Sequence, residues 1–165
     1  MVYWIIGLAQ SGKTTLGRAL YGVIKPASPN TVLIDGDDIR SRFGDPGHTM
    51  DGRRKNADFI CKLCKWLDDQ GIEVICCILS AFRESREWNR KNYSQYFEVY
   101  IDVPMDILQK RDVKGIYSGK KKDVIGVDIP FVKPESPDYV FANTAEKIDF
   151  KMIANAILSQ ARRKK

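Results

Sequence analysis

Residues 7–14 read Gly-Leu-Ala-Gln-Ser-Gly-Lys-Thr, the spacing G-x-x-x-x-G-K-[ST], which leaves a chain few folds to choose from. The motif has meaning only between a strand and a helix, and its neighbours supply both. Val2-Tyr3-Trp4-Ile5-Ile6 upstream is a continuous apolar run, as a fully buried parallel strand requires. Thr15-Leu16-Gly17-Arg18-Ala19-Leu20 downstream opens a helix. Gly7 and Gly12 permit a sharp turn that brings the N–H groups of Ala9, Gln10 and Ser11 toward phosphate oxygens, aided by the positive end of the helix. In that arrangement Lys13 reaches the β- and γ-phosphates and the Thr14 hydroxyl holds Mg²⁺. The expected ligand is a nucleoside triphosphate.

A chain of 165 residues is long enough for one compact domain with a true core and too short for two. Its 44% apolar and 29% charged content are ordinary for a globular protein, and no run approaches the length of a membrane span. A cleaved leader would remove the loop at residue 7, so the expected location is the cytoplasm, with no membrane partner. The net charge of +6 favours anionic ligands, but much of it lies in Lys120-Lys121-Lys122 and the tail Arg162-Arg163-Lys164-Lys165. The tail reads as the solvated end of a last helix, and no nucleic-acid partner is expected. Cys61, Cys64, Cys76 and Cys77 lack the second C-x-x-C or paired histidines of a zinc set and read as buried thiols.

Apolar runs alternate with helical periodicity along the chain, which predicts an α/β protein with a parallel five-stranded sheet flanked by helices. Strands are expected at 2–6, 31–35, 73–79, 97–102 and 139–141. Helices are expected after the first loop, around 38–42, over 52–70, from Pro104 to Arg111 and over 145–163. In the last, Ile148, Met152, Ile153, Ala156 and Ile157 are expected on the buried side. Residues 112–137 lose all periodicity, and an irregular stretch of that length in a small domain reads as a functional lid. Ligands of parallel sheets gather at the carboxyl ends of the strands, which selects the first loop, 35–40, 80–86 and the segment after Asp102.

Asp35-Gly36-Asp37-Asp38-Ile39-Arg40 leaves the second strand directly. Phosphoryl transfer needs a metal, a positioned hydroxyl and cations against the phosphates. One aspartate here suits proton acceptance and another the metal, while either also suits capping the next helix. Together with the first loop, these residues resemble the adenylyl-sulfate (APS) kinase family. The resemblance extends through Arg53-x-x-Asn56, Ser80-x-x-Arg83-x-x-Arg86, Phe97-x-Val99-Tyr100-x-Asp102-x-Pro104 and Arg111-Asp112-x-Lys114-Gly115-x-Tyr117, to about residue 137. It implies a P-loop NTPase fold and transfer of the γ-phosphate of ATP to a ribose 3′-hydroxyl. By this resemblance Asp37 is the base and Asp35 lies near the metal with Thr14. Residues 7–15, Thr15 included, and Arg111 then serve ATP, while Arg40, Arg53, Asn56 and Ser80 serve the acceptor, and Lys114 approaches the transferred phosphate. It also implies a homodimer.

The chain departs from that family where the acceptor base is clamped. Where APS kinases carry two phenylalanines about the adenine, the corresponding residues here are His48 and Val124; Ala81 replaces a usual proline, and Asp58 a usual arginine. Each lost aromatic face forgoes about 1–3 kcal/mol of base stacking. The expected acceptor is therefore a small activated nucleotide, adenylyl sulfate or, with preference for a non-adenine base, cytidine diphosphoramidate, as used in bacterial capsule biosynthesis. Two other readings stay open. A polynucleotide end-kinase suits the basic balance, and a regulatory nucleotide switch would use the same loop, although no Asn-Lys-x-Asp guanine signature occurs.

Overall fold

A computed structural model describes residues 1–47, 49–119 and 122–164. Its elements run β1 (Val2–Ile6), α1 (Lys13–Ile24), β2 (Thr31–Asp35), α2 (Gly36–Phe43), α3 (Met50–Asp69), β3 (Glu73–Ile78), α4 (Arg83–Asn92), β4 (Tyr96–Asp102), α5 (Met105–Lys110), β5 (Tyr139–Ala142) and α6 (Phe150–Arg163). All strand pairings are parallel, in the order β2-β3-β1-β4-β5. β1 lies at the centre, which explains why its five residues read as one unbroken apolar run: both faces are covered.

Alternation along β1 splits the core in two. Tyr3 and Ile5 pack with Leu16, Leu20 and Ile24 of α1 and Ala154, Ile157 and Ala161 of α6. Val2, Trp4 and Ile6 face the other way, onto Ile60, Cys61 and Cys64 of α3. Each such aliphatic side chain, fully buried, contributes about 1.5–3 kcal/mol. The cysteines follow the same alternation: Cys77 lies on the α1 face, and Cys76 joins Cys61 and Cys64 on the α3 face, all four buried and free. Burial pushes the Cys61 and Cys77 thiols up to about 12, so both stay protonated and unreactive.

The chain leaving β1 turns to the α1 face, whereas the chain leaving β3 turns to the α3–α4 face. Diverging at their carboxyl ends, these neighbouring strands open the crevice where ligands of such sheets bind. Among the described residues no helix is long and apolar enough to cross a membrane.

Several boundaries differ from the periodicity. α6 begins at Phe150 rather than at 145, because the Asp149 carboxylate accepts from the backbone N–H of Lys151 and Met152 and starts the helix there. The shift also rotates the buried side: Met152 and Ala156 are exposed, and Ala154, Ile157, Leu158 and Ala161 carry the contact. α2 starts two residues early, at Gly36, under an Asp35 cap. α4 carries no apolar stripe in sequence, and its inward side is polar: Arg86 donates to the Ser80 carbonyl at 2.8 Å, and Asn89 is fully buried.

Candidate active site

The loop between β1 and α1 turns twice through the left-handed region, at Gln10 (φ 62°) and Gly12 (φ 98°). Glycine is needed at position 12 for space as well: a Cβ there would lie 2.7 Å from the Asn143 amide nitrogen, which instead donates to the Ser11 carbonyl at 2.8 Å. Ser11 is fully buried beneath the loop, and a Cβ on Gly7 would press to within 2.5 Å of its Oγ. The Lys13 ammonium folds back over the loop and donates to the Leu8 carbonyl at 2.7 Å. Desolvation pushes this lysine down to about 8, against the opposing fields of Cys77, Asp35 and Asp37.

The acidic end of β2 faces that loop. Asp35 performs two tasks, one with each oxygen: Oδ1 accepts from the Asp37 N–H at 2.9 Å as the cap of α2, and Oδ2 accepts from Thr14 Oγ1 at 2.5 Å. Capping and a place in the site are thus compatible in a single side chain. Asp37 projects into the cleft, ion-paired with Arg40 and 3.2 Å from Lys114 Nζ. Partial burial acts to raise its carboxyl, but the Lys114 hydrogen bond and the charges of Arg40, Lys114 and Lys13 outweigh this and hold it below the usual carboxylate range.

These groups line one cleft of about 760 Å³. Of the residues singled out in the sequence, Ala9, Gln10, Gly12, Lys13, Thr14, Thr15, Asp35, Asp37, Arg40, Arg53, Asn56, Ser80, Arg111, Lys114 and Val124 all meet there. Gly7 and Ser11 support the loop from below, and His48 lies outside the described residues. Cations outnumber acids on the walls, as a polyanionic ligand demands. Arg111 is anchored on the carbonyls of Asn143 at 3.0 Å and Ala145 at 3.5 Å, and Arg53 donates to the Asp123 carbonyl at 2.9 Å.

Two residues behave differently from a simple lining role. Ser80 sits at the cleft wall in a left-handed conformation (φ 52°), but its hydroxyl is turned inward to accept from Trp4 Nε1 at 3.0 Å. Val124 is buried in the α1-side core, its N–H bonded to Asp128 Oδ2 at 2.9 Å. The wall also includes residues that the sequence did not single out. Phe82, at the start of α4, lies under the Arg54 guanidinium, whose carbon is 4.5 Å from the ring centre. Lys122 and Ile116 come from the irregular segment. Phe82 lies in the 80–86 segment that the strand-end rule selects, four residues past the end of β3, whereas Lys122 is one of three consecutive lysines and carries no signal of its own.

The adenylylsulphate kinase family model matches residues 1–142, the whole span that supplies the cleft walls. This chain belongs to the adenylylsulphate kinase family. It is accordingly a phosphotransferase. Among curated relatives, the cytidine diphosphoramidate kinase of Campylobacter jejuni is 42% identical over 147 residues, covering 87% of this chain and 86% of that one. The adenylyl-sulfate kinase of Clostridium acetobutylicum is 36% identical over 162 residues, covering 94% and 80% respectively. The APS kinase of Mycobacterium tuberculosis, solved with AMPPNP and APS, superposes with a TM-score of 0.86 over 98% of this chain and 96% of that one, at 24% identity. That last likeness concerns the fold, and it agrees with the five parallel strands and flanking helices of a P-loop kinase.

Proposed function

We propose that this kinase moves the γ-phosphoryl group of ATP to the ribose 3′-hydroxyl of a small activated nucleotide whose base is not adenine, with cytidine diphosphoramidate as the leading acceptor. The observation that carries the reading is the meeting of Lys13, Thr14, Asp35, Asp37 and Lys114 across one cleft. The phosphate loop, Thr15 and Arg111 hold ATP. The ionised Asp37 carboxylate takes the proton of the incoming hydroxyl, and Lys114 turns from Asp37 toward the phosphoryl oxygens as transfer proceeds. Arg40, Arg53 and Asn56 hold the acceptor's anionic groups.

Magnesium fits this donor set. The Thr14 hydroxyl and Asp35 carboxylate are adjacent hard oxygens, and Mg²⁺ characteristically takes one or two protein ligands beside substrate phosphates and water. Bound there, it would neutralise charge on the phosphate oxygens. Among the described residues no group of three or more His, Cys, Asp or Glu offers an all-protein metal cage, which suits the same ion. Residues 112–137 act in this reading as a lid within one domain.

The preference for a pyrimidine rests on the 42% identity to a cytidine diphosphoramidate kinase and on Val124, a small buried aliphatic where the family resemblance implies an aromatic clamp. Its test is a steady-state comparison of adenylyl sulfate, cytidine diphosphoramidate and an oligonucleotide 5′ end, with the product's phosphorylated oxygen assigned by NMR. Preferred turnover of the cytidine compound at its 3′-oxygen is expected. Efficient turnover of adenylyl sulfate alone overturns the base preference, and transfer to the oligonucleotide alone overturns the small-nucleotide reading.

The depressed Lys13 makes ATP binding pH-dependent in a defined direction. Its ordinary value is 10.5 and burial brings it to about 8, while bound phosphate favours the charged form. Well below pH 8 the lysine is already charged and its contribution is flat. Above pH 8, binding takes up a proton and affinity falls toward about tenfold per pH unit. Calorimetry in buffers of different ionisation enthalpy measures that proton uptake directly.

A further inference from the structure

We propose that the Gln10 side chain is a positioning residue that latches the phosphate loop to the 111–117 turn, so that occupancy of the loop sets where Lys114 stands. The inference rests on the kinase reading above and adds a role that the loop motif does not require. Gln10 has φ 62°, a conformation in which glycine is unstrained and a side chain is not. What this side chain does with its position is visible in the contacts. Its Nε2 donates to Asp112 Oδ1, and its Oε1 accepts from the Val113 N–H at 3.3 Å.

The same Asp112 carboxylate folds the turn, accepting from the Ile116 N–H at 2.9 Å and the Tyr117 N–H at 2.6 Å. Tyr117 closes the connection by donating its hydroxyl to the Ala9 carbonyl at 2.9 Å, next to Gln10 in the loop. Lys114 thus projects from a turn stapled at both ends to the residues that cradle phosphate, and it reaches Asp37 at 3.2 Å. A rigid tie of this kind transmits a small displacement of the loop to the ammonium.

Gln10→Gly removes the side chain while suiting the backbone, so the variant folds. The test is tryptic cleavage after Lys114 and Lys122, with and without Mg²⁺ and ATP, together with turnover at saturating ATP. In the natural protein ATP slows cleavage; in Gln10→Gly, at saturating ATP, that protection is lost. Turnover falls about tenfold, the factor expected of one hydrogen bond to a charged group, and the loss appears in kcat rather than in KM for ATP. Gln10→Ala shows the same kinetic loss with a lower melting temperature, because it keeps the strained backbone. Full protection and unchanged kcat in Gln10→Gly overturn the latch and leave the kinase reading standing. Failure of the natural protein to bind ATP overturns that reading, and with it the latch.

Discussion

Asp37→Asn is expected to leave a folded protein whose phosphoryl transfer is slowed about a hundredfold or more, the usual cost of losing a general base. The substitution conserves shape but removes the charge that, in the proposed reaction, draws a proton from the acceptor. It also releases Arg40 and Lys114, whose ion pairs with Asp37 hold that carboxylate below the usual range. Stability changes little, because the Asp37 side chain is 62% exposed and exposed pairs contribute little to folding. The measurement is a single-turnover rate at saturating ATP beside a thermal melt. A rate close to that of the natural protein assigns proton acceptance to another group.

Lys13→Ala has a comparable effect on transfer by a different route. Lys13 is the cation that the loop itself carries, and its ammonium is poised on the Leu8 carbonyl. Burial already costs this charge enough to push it down to about 8, so in the absence of triphosphate the protein tolerates its removal. With triphosphate bound, no other residue of the loop supplies a positive charge against the β- and γ-phosphates. Transfer is expected to drop by a factor of about a hundred or more, with ATP affinity falling alongside it and the melting temperature of the free protein unchanged or raised. A normal rate at saturating ATP would sink the assignment of the first loop as the phosphate cradle. The contrast between the two variants is informative: Asp37→Asn spares ATP binding, whereas Lys13→Ala does not.

The elements that were legible in the residues share one property, a local physical signal strong enough to survive without context. β1 is apolar throughout because both its faces are buried, and the loop after it is recognisable because phosphate binding demands glycine and lysine at set positions. β2 and its terminal acids were equally plain. α4 has no such signal because its inward residues, Arg86 and Asn89, are polar, so no periodic apolar stripe marks it. The start of α6 departs from the apolar spacing for a related reason: Ile148 packs on the core from outside the helix, so that spacing runs past the Asp149 cap.

The candidate site divides in the same way. Residue types announced a triphosphate, an acidic strand end and a basic wall, because each is a chemical requirement written into single side chains. Orientation and long-range partnership are not. That the Ser80 hydroxyl turns to Trp4, that Val124 belongs to the core as well as the cleft, and that Phe82 and Lys122 reach the wall all depend on packing between distant segments. The tie from Gln10 to Asp112 joins residues separated by 102 positions, and that from Asn143 to the Ser11 carbonyl joins residues separated by 132. Primary structure determined the fold class and points to the kind of ligand, since periodicity and motif act over a few residues. Folding settled which groups converge and what each hydrogen bond is directed toward, since those follow from contacts that exist only once the sheet has formed.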